Sequence, residues 1–155
     1  FVRRSVNPFP RRPRDEFMKR NGIIHAELAR RVAALRHTDT FVICDSGLPL
    51  APGTPCVDLG YRYGQATFAD VSATVLGEVV VEHSWVSRDV LTVSPHVHRH
   101  LVDLGLEPEP VDHDEFKAAV LDVAFAVRTG EDTFFANVLC RAGVPFGPGG
   151  ETATN

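Results

Sequence analysis

Little of this 155-residue chain is apolar for long. Its longest apolar runs fall far short of the ~20 residues that a membrane helix needs, so no helical bilayer span is expected. Cysteine is scarce: Cys44, Cys56 and Cys140 include no C-x-x-C pair. Three thiols set beside apolar residues suit a reducing cytoplasm better than a disulfide framework, and buried, inert thiols better than a nucleophile. Positive charge is also in short supply, with 16 Lys and Arg against 20 Asp and Glu and a net charge of −4. Five of the arginines lie in residues 1–17, which leaves the body more acidic still. No basic surface is available for a nucleic acid. The Gly147–Gly150 cluster lacks the Gly-Lys-Ser/Thr ending of a phosphate loop, so it reads as tail.

The chain has the length of one domain. Residues 1–17, FVRRSVNPFPRRPRDEF, lack periodicity, and the only methionine is Met18. Translation is expected to start there, with the upstream stretch an unstructured extension. A transit peptide is the rival reading, but the prolines among its arginines suit an amphipathic helix poorly. The domain is expected over 18–146, followed by an unstructured Gly-rich tail over 147–155.

Ile24, Leu28, Val32 and Leu35 recur at helical spacing and predict a helix to about Arg36. Strands are expected at Phe41–Cys44, near Cys56–Asp58, opening at Val79-Val80-Val81, and at Val138–Cys140. Helices are expected over Phe68–Leu76 and from Ser94-Pro95, where Ser would cap and Pro would open the first turn. The clearest helix begins near His113, capped by Asp112 with Glu115 three residues on. Its apolar stripe reads Phe116, Ala119, Val120, Val123 and Val127, with Gly130 placed to stop it. Helices alternating with short strands predict a three-layer α/β/α domain around a mainly parallel or mixed sheet.

The most informative run is HTDTFVICDSGLP, His37 through Pro49. It sets an imidazole before a short buried strand and a carboxylate, Asp45, at the strand's carboxyl end, where ligands gather in open α/β sheets. A His and an Asp near one cleft are the parts of an acid/base pair. The same residues can be structural, His37 capping a helix end and Asp45 forming an Asx turn into Ser46-Gly47. Asp39 can cap the strand's first amides or support His37.

The string HTD, five residues and D-x-G-L-P resembles the D-ribose pyranase family. So do MKRNGIIHAELARRVAALRHTD, PCVDLGYRYG, VDHDEFKAAV and RTGEDTFFANVLCRAGVPF, which follow in order from Met18 through Phe146. That family interconverts the pyranose and furanose forms of D-ribose. The resemblance implies an isomerase without a cofactor, in which His37 is the proton donor. It implies sugar contacts from Asp45, His113 and the run Phe135-Ala136-Asn137. It also implies a ring-shaped homodecamer with sites shared between subunits. Phe135 stands where the family usually has Tyr, so a phenolic hydroxyl is missing.

One geometric point agrees with shared sites. A four-residue strand is about 13 Å long, so His37 and Asp45 at its two ends do not easily grip one small sugar. The sister L-fucose mutarotase family reads HGD and D-x-x-F-P, so Thr38 and Gly47-Leu48-Pro49 favour the ribose branch. A non-catalytic sugar-binding accessory to transport would need Asp45 and Asn137 but no titratable His37. His96, His98 and His100 invite a metal reading, yet a helix would set only His96 and His100 on one face, without a third ligand. No metal site is assigned.

Overall fold

The computed structural model describes residues 19–148. The expected extension at 1–17 and all but the first two residues of the expected tail lie outside them. In chain order the elements are α1 (Ala26–Ala34), β1 (Thr40–Cys44), β2 (Cys56–Asp58), α2 (Phe68–Leu76), β3 (Val81–Ser87) and α3 (Val90–Val93). They continue with α4 (Pro95–Asp103), β4 (Glu109–Val111), α5 (His113–Val120), β5 (Phe125–Arg128) and β6 (Val138–Ala142).

The six strands form one mixed sheet in the order β2-β5-β1-β6-β3-β4. β1 runs parallel to β5 and antiparallel to β6, and β6 is antiparallel to β3. The sheet is mixed and carries helices on both faces, as expected for a single α/β domain. One face packs Phe41, Ile43, Val127 and Val138 against Leu28 of α1, Val71 and Val75 of α2, and Val97 and Leu101 of α4. The other packs Val42, Cys44, Ala126 and Leu139 against Phe116 and Val120 of α5. Strand residues therefore alternate between two dry interfaces, which is why β1 reads as an unbroken apolar run. At its centre the Phe41 and Phe125 rings stack 5.5 Å apart.

The long helix expected from His113 is corrected. It ends at Val120, and Phe125–Arg128 forms β5, hydrogen-bonded between β1 and β2. Val123 and Val127 fit a helical stripe, but a short apolar run fits a strand buried on both faces equally well. The exposed edge of β1 decides between them, because its amides need partners. Gly130 is not a helix stop. A Cβ there would run into the carbonyls of Gln65 and Arg62, which pack against it.

Asp112 stands at the α5 N-cap, but its side chain makes no cap bond and pairs with Arg88 instead. Ser94 likewise makes no cap bond to α4; its hydroxyl donates to the Phe134 carbonyl. Ile24 is 77% exposed and precedes α1, because His25 takes the N-cap position and its Nδ1 accepts from the Leu28 amide. Val79 and Val80 precede β3, which runs on to Ser87. The unexpected strand β4 contains Pro110 and lies at the sheet edge, where a missing N–H is tolerated.

Candidate functional site

Asp45 leaves the carboxyl end of β1, and Asn137 immediately precedes β6, its antiparallel neighbour. The pairing of these strands brings the two side chains together across 92 residues of sequence. The Asn137 Oδ1 accepts from the Asp45 amide at 2.8 Å, and its Nδ2 donates to the Asp45 carboxylate at 3.2 Å. The other carboxylate oxygen accepts from the Gly47 amide at 3.0 Å. The Asx turn is thus real, and it orients the carboxylate. Burial pushes the Asp45 carboxyl above its ordinary value, opposed by the Gly47 and Asn137 hydrogen bonds. The Arg128 guanidinium clamps the turn, donating to the Ser46 carbonyl at 2.9 and 3.1 Å and holding Asp58 with its remaining fork.

His113 opens α5 just beyond β4, and its ring meets the Phe135 ring edge-on with centroids 5.0 Å apart. Its charge, when present, would favour ionised Asp45. Phe135 itself has φ of 62°, a left-handed conformation uncommon for an aromatic residue, and its carbonyl accepts from the Asn137 amide at 2.9 Å. Ala136 is fully buried beneath this turn. Two buried polar atoms have no partner among the described residues, His113 Nδ1 and Ser87 Oγ. Continuing the β3–β6 register by two residues sets Ser87 opposite Asn137. Five of the six expected residues therefore gather at one end of the sheet, with acceptors, donors and a ring face able to hold a polyhydroxylated ligand.

His37 is not among them. It lies beyond the other end of β1, where Thr38 (φ 72°) donates its amide to the Ala142 carbonyl and Asp39 returns a bond to the Ala142 amide through its own carbonyl. The Asp39 carboxylate caps the Arg36 amide rather than supporting His37. The His37 Nε2 lies 2.8 Å from Glu82 Oε2, and the Arg141 Nε donates to Glu82 Oε1 at 2.7 Å. β1 alone spans about 16 Å, so within one subunit His37 and Asp45 stand apart.

Sequence reasoning missed Glu82, Arg128 and Ser87, because each depends on strand register rather than on a motif. His100 bonds the Ser72 hydroxyl at 3.0 Å, tying α4 to α2. Burial pushes the Cys44 thiol up to about 12 and raises Cys140 too, which leaves both poor nucleophiles.

Residues 18–145 match the model of the RbsD / FucU transport protein family. A protein of Rubrobacter xylanophilus described as D-ribose pyranase 1 is 44% identical over 129 residues, taking in 83% of this chain and the whole of the relative. A D-ribose pyranase of Shouchella clausii is 40% identical over the same shares. The structure of Bacillus subtilis RbsD complexed with D-ribose superposes with a TM-score of 0.79 at 36% identity, covering 83% of this chain and all of that one. A fucose mutarotase from Streptococcus pneumoniae, in complex with L-fucose, superposes with a TM-score of 0.58 at 16% identity over 76% and 91% of the two chains, a likeness of fold alone.

Proposed function

Because this chain belongs to the RbsD / FucU transport protein family, we propose that it is an isomerase that interconverts the pyranose and furanose forms of D-ribose. One observation carries this reading: the chain takes in the whole of a D-ribose pyranase at 44% identity. The experiment that tests it is saturation transfer between the anomeric resonances of ribose, with and without protein. A sugar-binding accessory would broaden those resonances without accelerating their exchange.

The chemistry needs only proton transfer. A base takes the proton of the anomeric hydroxyl, whose electrons form the C1 carbonyl as the bond from C1 to the ring oxygen breaks. The ring oxygen takes up a proton, and closure through a different hydroxyl reverses both steps. His37 is the acid/base in this reading, an imidazole being able to give and accept a proton near neutral pH. Asp45, His113 and Asn137 bind hydroxyls, Phe135 covers a sugar face, and buried Ala136 holds the turn between them.

The separation of His37 from Asp45 supports a site completed by a neighbouring subunit. Further support comes from Tyr61, Tyr63 and Phe134, which stand 77%, 79% and 76% exposed at the Asp45 end. The reading extends to a decamer, whose subunit number light scattering would give; a fully active monomer would dismiss the shared site. It also extends to a cytoplasmic setting, supported by three free cysteines. Among the described residues no helix is long and apolar enough to cross a membrane.

Two predictions arise here. Since the Asp45 carboxyl titrates above its ordinary value, ribose affinity is expected to fall with decreasing pH before an ordinary aspartate, near 3.9, would protonate. The sign follows from the loss of an acceptor: protonated Asp45 can no longer accept through both oxygens. Calorimetric titrations between about pH 3 and 7 would show this acid limb in the native protein and lose it in Asp45→Asn. A limb that survives in Asp45→Asn would place the titration elsewhere.

Phe135→Tyr restores the hydroxyl usual in the family. It is expected to strengthen ribose binding by about 0.5–1.5 kcal/mol, the net contribution of an ordinary hydrogen bond. Unchanged affinity would mean that position 135 serves through its ring and backbone alone.

A further inference from the structure

We propose that Glu82 is a positioning residue for His37: it holds the proton on Nε2 and so leaves Nδ1 as the ring nitrogen that exchanges protons with the sugar. The inference rests on His37 being the acid/base. It begins from the β3–β6 register, in which Val81 faces Ala142 and His83 faces Arg141. Two steps along β3 match one along β6, so Glu82 is an inserted residue, a β-bulge. Glu82 and His83 thus together oppose the single residue Arg141. The Glu82 carboxylate meets the Arg141 Nε at 2.7 Å with one oxygen and the His37 Nε2 at 2.8 Å with the other. Arg141 is held in turn, its guanidinium lying 5.6 Å above the Trp85 ring. The far wall of the network is His83, whose ring lies tilted against Trp85 and which bonds Glu109.

The chemistry of these groups fixes the tautomer. The His37 and Arg141 hydrogen bonds hold the Glu82 carboxyl below its ordinary value, so near neutral pH it has no proton to give. An ionised carboxylate only accepts, and the contact therefore requires a proton on Nε2. In neutral imidazole the other nitrogen then carries the lone pair. Nδ1 takes the proton of the anomeric hydroxyl, the imidazolium that forms stands against the Glu82 charge, and Nδ1 returns a proton to the ring oxygen. Nothing is consumed.

Glu82→Gln makes the test sharp, because it keeps size and shape at a partly exposed position. The single amide oxygen will pair with the permanently charged Arg141. The amide nitrogen then faces His37 and donates, so Nε2 must accept and the proton moves to Nδ1. Two measurements follow. In ¹⁵N-correlated NMR of the neutral ring, His37 is expected to switch from the Nε2–H to the Nδ1–H tautomer. Ring-form exchange at saturating ribose is expected to fall at least about tenfold, part of the 10²–10⁴ that a positioned proton shuttle contributes. Ribose affinity should stay within about twofold, since Asp45 and Asn137 are untouched. Glu82→Ala, which frees the ring without inverting it, should lose less.

A purely structural Glu82 would leave Glu82→Gln with native turnover and the Nε2–H tautomer, and that result overturns the inference. An inverted tautomer with native turnover overturns it as well. His37→Ala measured alongside separates the causes. If His37→Ala is slow while Glu82→Gln is not, the role of Glu82 is wrong. If neither is slow, the assignment of His37 itself has failed.

Discussion

Replacing His37 with alanine is expected to slow exchange between the ring forms of D-ribose by about 10²–10⁴-fold, the range for removal of a positioned proton shuttle. The fold should tolerate the change. The His37 side chain is 54% exposed, it lies outside both apolar clusters, and among the described residues its one side-chain hydrogen bond is to Glu82. The turn that carries it is built from backbone bonds between Thr38, Asp39 and Ala142 and from the Asp39 cap on Arg36, none of which uses the imidazole. Ribose affinity should persist, because Asp45, His113 and Asn137, the groups proposed to bind its hydroxyls, lie at the other end of β1. Saturation-transfer rates give the exchange, calorimetry the affinity and thermal melting the stability. Native exchange in a folded His37→Ala protein would sink the assignment of the proton donor. A loss of affinity equal to the loss of rate would make His37 a binding residue instead.

The second large effect is expected at Asn137. Asn137→Ala removes the acceptor of the Asp45 amide and a donor to the Asp45 carboxylate in one step. Asn137 is 2% exposed, so water replaces neither bond freely. A hydrogen bond to a charged group contributes about 1.5–3 kcal/mol. Ribose affinity is therefore expected to fall about 10–100-fold as the carboxylate loses its orientation. Stability should fall by about 1–3 kcal/mol, because the half-buried Asp45 amide and carboxylate each lose a partner. The Asp45 carboxyl, already raised by burial, would rise further and carry the acid limb of ribose binding with it. Calorimetry and denaturant unfolding measure the two effects separately. Unchanged affinity in a destabilised protein would make the Asp45–Asn137 pair a brace for the sheet and nothing more.

The contrast between these residues marks what was readable in the chain. β1 was legible because Phe41–Cys44 is short, β-favouring and bounded by polar and turn residues. Its two flanks then had to lie at opposite ends, which follows from strand rise alone. α2 was legible as well, over the Phe68–Leu76 bounds that the structure gives it. The division between α5 and β5 was not. Phe116 to Val127 carries one continuous helical stripe, and the local spacing holds nothing that says where helix gives way to strand.

The sequence by itself determined the class of domain and the likeness to sugar-ring isomerases, and through that likeness the residues to watch. Periodicity, strand length and turn chemistry are properties of neighbouring residues. Only the tertiary structure decided that Phe125–Arg128 fills the sheet between β1 and β2, that Asp45 binds Asn137, and that Glu82 of β3 meets His37. Each of these is set by which strand edges pair and in what register. Register in turn follows from burying both faces of the sheet together, a condition imposed by all the strands at once and carried by no single stretch of the chain.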